Sequence, residues 1–322
     1  MRDASRPAIL AAGSLLALTL PLILAASASA AAEPKVVVTI KPVHALVLRV
    51  MSGVAEPELL VKGAASPHSY ALKPSQARAL HSADLFIRMS ETVEPFTARM
   101  VRSLPSRVEV VTLQDAPGVT LLTLRTGATF ERRAVNDHAH DHGQSPKGDV
   151  VDGHVWLDPD NAKAMVDRVA QALGTRFPAH APAFKANAET LRAKLDALAS
   201  ELDRALEPIA DKPYIVFHDA FQYFERRYRL NVVGSISINP EVPPSAKRLT
   251  ELRRKIQSLG AVCVFAEPAF DTRLVDNLIE GTAARTGTLD PEGGSLDPGP
   301  DLYFALMRKL AAALRSCLAP PA

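Results

Sequence analysis

The sequence of 322 residues lacks several features, and each absence argues against a class of protein. The net charge is only +2 and no basic block is interleaved with aromatic residues, so nucleic-acid binding is not indicated. The histidine-glutamate-x-x-histidine pair of metalloproteases is missing, as is a signature of a catalytic nucleophile. After residue 30, no stretch is apolar for long enough to span a bilayer. We therefore do not expect an enzyme or a membrane-embedded protein.

The first thirty residues have the order of a secretory signal peptide. Arg2 and Arg6 precede an apolar run over residues 8–26, and small residues follow from Ala28 to Ala30. This order predicts a signal peptide over residues 1–30, cleaved near Ala30. A membrane anchor is the alternative, because the run is just long enough to span, but Pro21 and the small residues favour cleavage. We expect an exported protein, most simply a periplasmic one.

Cysteine is scarce, and both copies lie in the second half of the chain. Cys263 lies in an apolar run over residues 261–265, and Cys317 follows a helical pattern over residues 302–314. An even count in an exported protein favours a disulfide bond, with two free thiols as the alternative. Such a bond would attach the last helix to a sheet.

Short apolar runs alternate with helical patterns in both halves of the chain. The predicted strands cover residues 35–40, 58–62, 84–89 and 108–113, and then 214–217, 231–236, 261–265 and 286–289. Strands that alternate with helices predict parallel sheets with right-handed crossovers. Between the two sets, residues 182–206 carry one narrow apolar stripe, which is typical of a long helix buried along a single seam. We predict an α/β fold with a first lobe over residues 31–180, a connecting helix over 181–207 and a second lobe over 208–322.

A polar segment over residues 129–152 interrupts this pattern. Three of the nine histidines of the chain, His138, His140 and His142, alternate there with other residues beside Asp137 and Asp141. Histidines and carboxylates at this density favour a weak, secondary metal site, and a solvated linker is the alternative.

Three other histidines lie at the ends of predicted strands or in turns. His218 follows the run 214–217, and Asp219 behind it is placed to cap a helix that carries Phe221, Phe224 and Tyr228. His68 and His154 lie in turn-rich segments of the first half, and Asp290 ends the last predicted strand. Ligands bind beyond the carboxyl ends of the strands in open α/β sheets. If both sheets point these ends at one cleft, His68, His154, His218 and Asp290 converge there.

Several motifs along the mature chain match one family. They are GAASPHSY with KPS at residues 63–70 and 73–75, GHVWL at 153–157, FHDA at 217–220, VFAEP at 264–268 and GTLDP at 287–291. With these motifs, the chain resembles the ZnuA type of periplasmic zinc-binding proteins of ABC importers, within the metal-binding solute-binding proteins. The histidine-bearing segment and the cysteine pair also fit this resemblance.

The resemblance implies two lobes, each with a four-stranded parallel sheet, joined by a long connecting helix. It also implies one zinc ion between the lobes, bound by His68, His154 and His218, and delivery of that ion to an inner-membrane ABC permease. Many relatives carry a glutamate where this chain has Pro67, so the fourth ligand is either Asp290 or a water molecule. Three imidazoles favour zinc over manganese, which prefers more oxygen ligands. We expect a monomer whose zinc affinity falls below about pH 6 as the histidines become charged.

Three alternative functions use the same residues. Manganese or iron import by the same architecture is the nearest alternative. A zinc hydrolase also uses three histidines and a water molecule, but it needs a general base and a substrate pocket. A surface adhesin could use zinc only for folding. Among the other residues, we expect His81 and His180 to be structural and Trp156 to be core. His44 is either structural or supports a ligand from outside the site, and Glu267 either orients an imidazole or forms a salt bridge.

Overall fold

The computed structural model describes residues 33–125, 127–130, 150–237, 242–260 and 263–319. The predicted signal peptide and the candidate metal residues His138, His140 and His142 lie outside these described residues. In the described part of the chain, no helix is long and apolar enough to cross a membrane.

Two four-stranded parallel sheets form the centres of two lobes. The first contains β1 (Val36–Val38), β2 (Glu58–Leu59), β3 (Leu85–Arg88) and β4 (Glu109–Thr112), and the second contains β5 (Tyr214–His218), β6 (Val232–Ser237), β7 (Cys263–Ala266) and β8 (Arg285–Thr288). Their strand orders are β2-β1-β3-β4 and β6-β5-β7-β8, so the two sheets share one topology. Every predicted strand is present. The ends lie within two residues of the prediction except in β2, which is limited to Glu58–Leu59. Most of these strands are short apolar runs, which explains why they could be predicted. In each sheet the strand order reverses between the first and third strands, where α/β folds place their ligands.

Nine helices of at least six residues surround these sheets in the described part of the chain. They are α1 (Lys41–Val50), α2 (Pro74–Ser82), α3 (Pro95–Val101), α4 (Pro159–Arg176), α5 (Ala181–Leu206), α6 (Gln222–Arg227), α7 (Ala246–Leu259), α8 (Arg273–Ile279) and α9 (Leu302–Leu318). Two short 3-10 turns lie at Pro67–Ser69, which contains His68, and at Val155–Leu157, which directly follows His154.

The long helix α5 packs along one seam, as its apolar stripe predicts. Its buried side chains are Phe184, Ala188, Leu191, Leu195, Leu198, Ala199, Leu202 and Leu206. The helix contacts α1 and α4 from the first half of the chain and α9 from the second half. One continuous cluster of buried apolar side chains extends from Val36 in β1 through α5 to Leu318 in α9. Each fully buried leucine in such a cluster stabilises the fold by about 1.5–3 kcal/mol.

The predicted disulfide bond is confirmed. Cys263, the first residue of β7, is bonded to Cys317 in α9, with 6.1 Å between their Cα atoms. The alternative of two free thiols is therefore wrong. The bond attaches α9 to the second sheet as expected.

The predicted helix cap at Asp219 is wrong. Helix α6 begins at Gln222, and no side chain caps its N-terminus. The Asp219 side chain is fully buried and forms an ion pair with Arg125, whose guanidinium also contacts Glu225 at 2.8 Å. A buried carboxylate needs a charged partner, and this requirement overrides a local cap. Phe221, Phe224 and Tyr228 are all buried, as the predicted helical spacing requires.

Candidate metal centre

The structure brings three predicted site residues together in one cluster. His68 lies in the turn Pro67–Ser69, where its backbone N–H donates to the Ser66 hydroxyl. His154 directly precedes the turn Val155–Leu157, and His218 is the last residue of β5. The Nε2 atom of His154 lies 3.3 Å from the Nε2 atoms of both His68 and His218. One ring nitrogen from each of the three residues lies within 4.8 Å of the others.

These separations suit a single metal ion. Zinc binds imidazole nitrogen at about 2.0–2.1 Å with tetrahedral angles, which places two such nitrogens about 3.3 Å apart. His154 and His218 are also nearly inaccessible to solvent, at 5% and 2% exposure. An ion bound among the three Nε2 atoms would therefore be shielded from water on most sides.

Two carboxylates orient the imidazoles of His154 and His218. Asp152 accepts hydrogen bonds from the His154 ring Nδ1 at 2.7 Å and from its backbone N–H at 3.0 Å. Glu267, which follows β7, accepts from the ring Nδ1 of His218 at 2.8 Å and from its backbone N–H at 3.0 Å. Because Nδ1 donates in each ring, the Nε2 lone pair points into the cluster, as a metal ligand requires. Glu267 therefore orients an imidazole, the first of its two predicted roles.

Asp152 is the residue that sequence reasoning missed. It is the last residue of the polar segment, so the sequence does not distinguish it from the other carboxylates of that segment. Its position two residues before His154 is the only local signal, and that spacing alone does not show which way the side chain points.

The electrostatic environment differs among the rings. Burial, with help from the neighbouring His154 and His218, lowers the pKa of His68 to about 2. Burial also acts to lower the pKa of His218, but the charge and hydrogen bond of Glu267 outweigh it and raise that pKa above its ordinary value. His68 is thus neutral at every physiological pH, whereas His218 tends to keep a proton when no metal is bound.

Asp290 lies beside the cluster but is not brought into it. It lines a cavity of about 30 Å³ together with His68, His218, Glu267 and Glu292. One Asp290 carboxylate oxygen accepts from the backbone N–H of Glu292 at 3.2 Å, and the other accepts from the backbone and hydroxyl of Ser295 at 3.3 Å. Among the described residues, only the three histidines have ligand atoms that all lie within 4.8 Å of one another. The cavity has room for about one water molecule.

The other residues singled out in the sequence lie away from the cluster or support it. His44 is buried and its Nε2 is hydrogen-bonded to the Pro57 carbonyl at 2.9 Å, and His81 is exposed at the end of α2. His180 packs near the ring of Phe184. Trp156 is fully buried with its ring centroid 5.2 Å from that of His154, so it supports the site from the core.

Comparison with known proteins points to one family. The profile of a family described as zinc-uptake complex component A, periplasmic, matches residues 36–317. The high-affinity zinc uptake system protein ZnuA of Brucella abortus (strain 2308) is 42% identical over 311 residues, which cover 88% of this chain and 91% of that protein. The protein of the same name from Paracoccus denitrificans (strain Pd 1222) is 37% identical, with 95% of this chain and 98% of its own length covered.

A solved structure shares the fold. A crystal structure of ZnuA superposes with a TM-score of 0.73 at 23% identity, and the match covers 88% of this chain and 98% of that one. The family profile and the Brucella relative both extend over most of the sequence. The chain therefore belongs to the ZnuA family of periplasmic zinc-uptake components.

Proposed function

We propose that this protein captures zinc in the cleft between its lobes and delivers it to an ABC permease of the inner membrane. His68, His154 and His218 are the protein ligands. The observation that carries this proposal is that the Nε2 atom of His154 lies 3.3 Å from those of His68 and His218, and that the ring Nδ1 atoms of His154 and His218 are bound to carboxylates. Relatives named as high-affinity zinc uptake proteins support the same function. Residues 1–30 direct export to the periplasm and are removed.

The donor set favours zinc over manganese or iron. Three imidazole nitrogens suit zinc, whereas manganese prefers sites with more carboxylate and water oxygen. The fourth position is filled by Asp290 or by a water molecule that it holds in the adjoining cavity.

A zinc hydrolase has less support from the same site. Asp152 and Glu267 are hydrogen-bonded to imidazoles and are therefore not free to act as a general base. The adjoining cavity of about 30 Å³ suits a water molecule, whereas pockets for small-molecule substrates usually measure about 300–1,000 Å³.

Zinc titration of the wild type and of a His218→Ala variant tests the proposal. We expect the wild type to bind one zinc ion tightly and His218→Ala to lose at least about 100-fold in affinity, since a direct ligand matters more than an outer-shell partner. A matched His81→Ala variant removes an exposed imidazole outside the cluster and should bind as the wild type does. Equal affinity in the wild type and His218→Ala would overturn the proposal.

A further inference from the structure

The segment of residues 290–296, here called the Asp290 segment, follows β8 of the second lobe but is bound by side chains of the first lobe. Lys41, the first residue of α1, donates from Nζ to the carbonyls of Gly293, Gly294 and Leu296 at 3.2, 2.9 and 2.9 Å. Trp156 donates from Nε1 to the Pro291 carbonyl at 3.0 Å. Side chains of the first lobe therefore donate four hydrogen bonds to carbonyls of the Asp290 segment.

Close packing also places the Asp290 segment against the part of the first lobe that carries His68. A Cβ atom on Gly294 would lie 3.1 Å from the Cα and 3.2 Å from the Cβ of Ala64. Ala64 belongs to the loop that leads to His68. The same Cβ position is 3.7 Å from an Asp290 carboxylate oxygen. The packing therefore places this carboxylate close to the His68 loop.

The Lys41 ammonium donates to three carbonyls of the segment, and the nearby carboxylates of Asp290, Asp297 and Glu292 favour its charged form. Its side chain is nearly inaccessible, with the residue at 5% exposure, and a buried ammonium is tolerated only when its donors are satisfied. Three carbonyls match the three N–H donors of the ammonium group. Removing the ammonium would leave three carbonyls of the segment without this partner, which costs free energy for each one that stays buried. The Lys41 side chain therefore fixes the path of the segment.

We propose that Lys41 is a positioning residue for metal binding, which holds the Asp290 segment on the first lobe and thereby slows zinc release. This inference rests on the proposed function, because it concerns the same ion. Lys41 acts through Asp290, which completes the zinc coordination directly or through a water molecule. The ion then leaves only when the segment shifts away from the first lobe.

Zinc dissociation into excess chelator, followed by stopped flow, tests this role. We expect Lys41→Met to release zinc about 10-fold faster than the wild type, the lower end of the effect of outer-shell partners. Arg49→Met is the matched control, because Arg49 is another α1 cation that bonds Pro300 and Asp301, beyond the segment. It should release zinc at the wild-type rate. A wild-type rate in Lys41→Met overturns the inference, whereas a wild type that binds no zinc overturns the proposed function itself.

A double-mutant cycle separates positioning from general destabilisation. If Lys41 acts through Asp290, then Lys41→Met adds nothing to the faster release of Asp290→Ala. If the two substitutions multiply their separate effects on the release rate in the double variant, the inference is overturned. A wild-type release rate in Asp290→Ala would also overturn it. If Lys41→Met does not fold, Trp156→Phe is tested in its place. This variant removes the hydrogen bond to the Pro291 carbonyl and keeps an aromatic ring. Trp156→Phe should also release zinc faster, and wild-type release by this variant would overturn the inference.

Discussion

At the scale of single residues, the candidate site consists of donors and of the groups that aim them. The positions of His68, His154 and His218 beside turn residues and strand ends predicted that they meet only if both sheets point at one cleft, and the family resemblance named them as ligands. The roles of Asp152 and Lys41 could not be predicted in this way. Both depend on the direction of a side chain across a gap between segments, and sequence spacing carries no information about that direction. Glu267 was left between two roles for the same reason.

Asp152 should tune zinc affinity without being a ligand. Replacing it by alanine removes the acceptor that fixes the His154 ring, so we expect Asp152→Ala to weaken zinc binding about 10- to 100-fold. Asp152→Asn keeps an oxygen that can accept from Nδ1 and should lose less. Competition with a chelator of known affinity measures both variants. Loss of the same size in Asp152→Asn and Asp152→Ala would mean that charge, and not orientation, is the contribution of this residue.

The pH dependence of zinc binding should follow His218. Glu267 raises the pKa of this ring, so the metal-free protein keeps a proton on it that zinc must displace. His68, with its pKa of about 2, contributes no such proton. Affinity should therefore be constant above the pKa of His218 and fall about 10-fold per pH unit below it, starting above the ordinary value of about 6.5. Zinc titrations between pH 8 and pH 5 measure this slope.

Glu267→Gln provides the control for this assignment. Without the Glu267 charge, burial dominates and the pKa of His218 falls, so the decline in affinity should move to lower pH. An unchanged pH profile in Glu267→Gln would show that another group takes up the proton.

At the scale of elements, strands and the long helix were predictable because each is an apolar pattern with a clear period. Most of the eight strands are short apolar runs, and α5 buries the single stripe that its sequence shows. The start of α6 was not predictable, because Asp219 forms an ion pair with Arg125 and does not cap the helix. Arg125 is far away in the sequence, so this contact could not be foreseen. A local rule failed where a tertiary contact competed for the same side chain.

Loss of the disulfide bond should destabilise the second lobe and should not disturb the three-histidine cluster. Replacing Cys263 and Cys317 by alanine removes the covalent link between β7 and α9. We expect the double variant to lose about 2–5 kcal/mol in the free energy of unfolding, the usual range for a native disulfide. Urea unfolding under non-reducing conditions measures this loss.

Reduction of the wild type provides the matched comparison. A reducing agent should lower the stability of the wild type to that of the double variant and should not affect the variant. Zinc affinity should change little in either case, because neither cysteine lines the cavity beside the histidines. A large loss of affinity would mean that α9 helps to position Glu267 at the end of β7.

At the scale of the whole molecule, two sheets have one topology, and the three-histidine cluster takes residues from both halves of the chain. Their shared strand order places His218 and Glu267 at the ends of neighbouring strands β5 and β7, where the strand order reverses. The two lobes do not need the three-histidine cluster, or an ion bound to it, to stay together. The buried apolar cluster that contains β1, α5 and α9 already joins them.

This arrangement predicts a metal-free protein that is fully folded and that zinc stabilises only by binding. The chelated protein should melt in one cooperative transition, because the apolar core that joins the lobes contains no metal ligand. Zinc at about 1,000 times its dissociation constant should add about 4 kcal/mol to the free energy of unfolding through mass action. Calorimetry with and without chelator measures the shift, and His218→Ala should show much less of it at the same zinc concentration. Collapse of the metal-free fold would instead indicate a structural ion, as in a zinc-stabilised adhesin, because a carrier must stay folded after it has released its cargo.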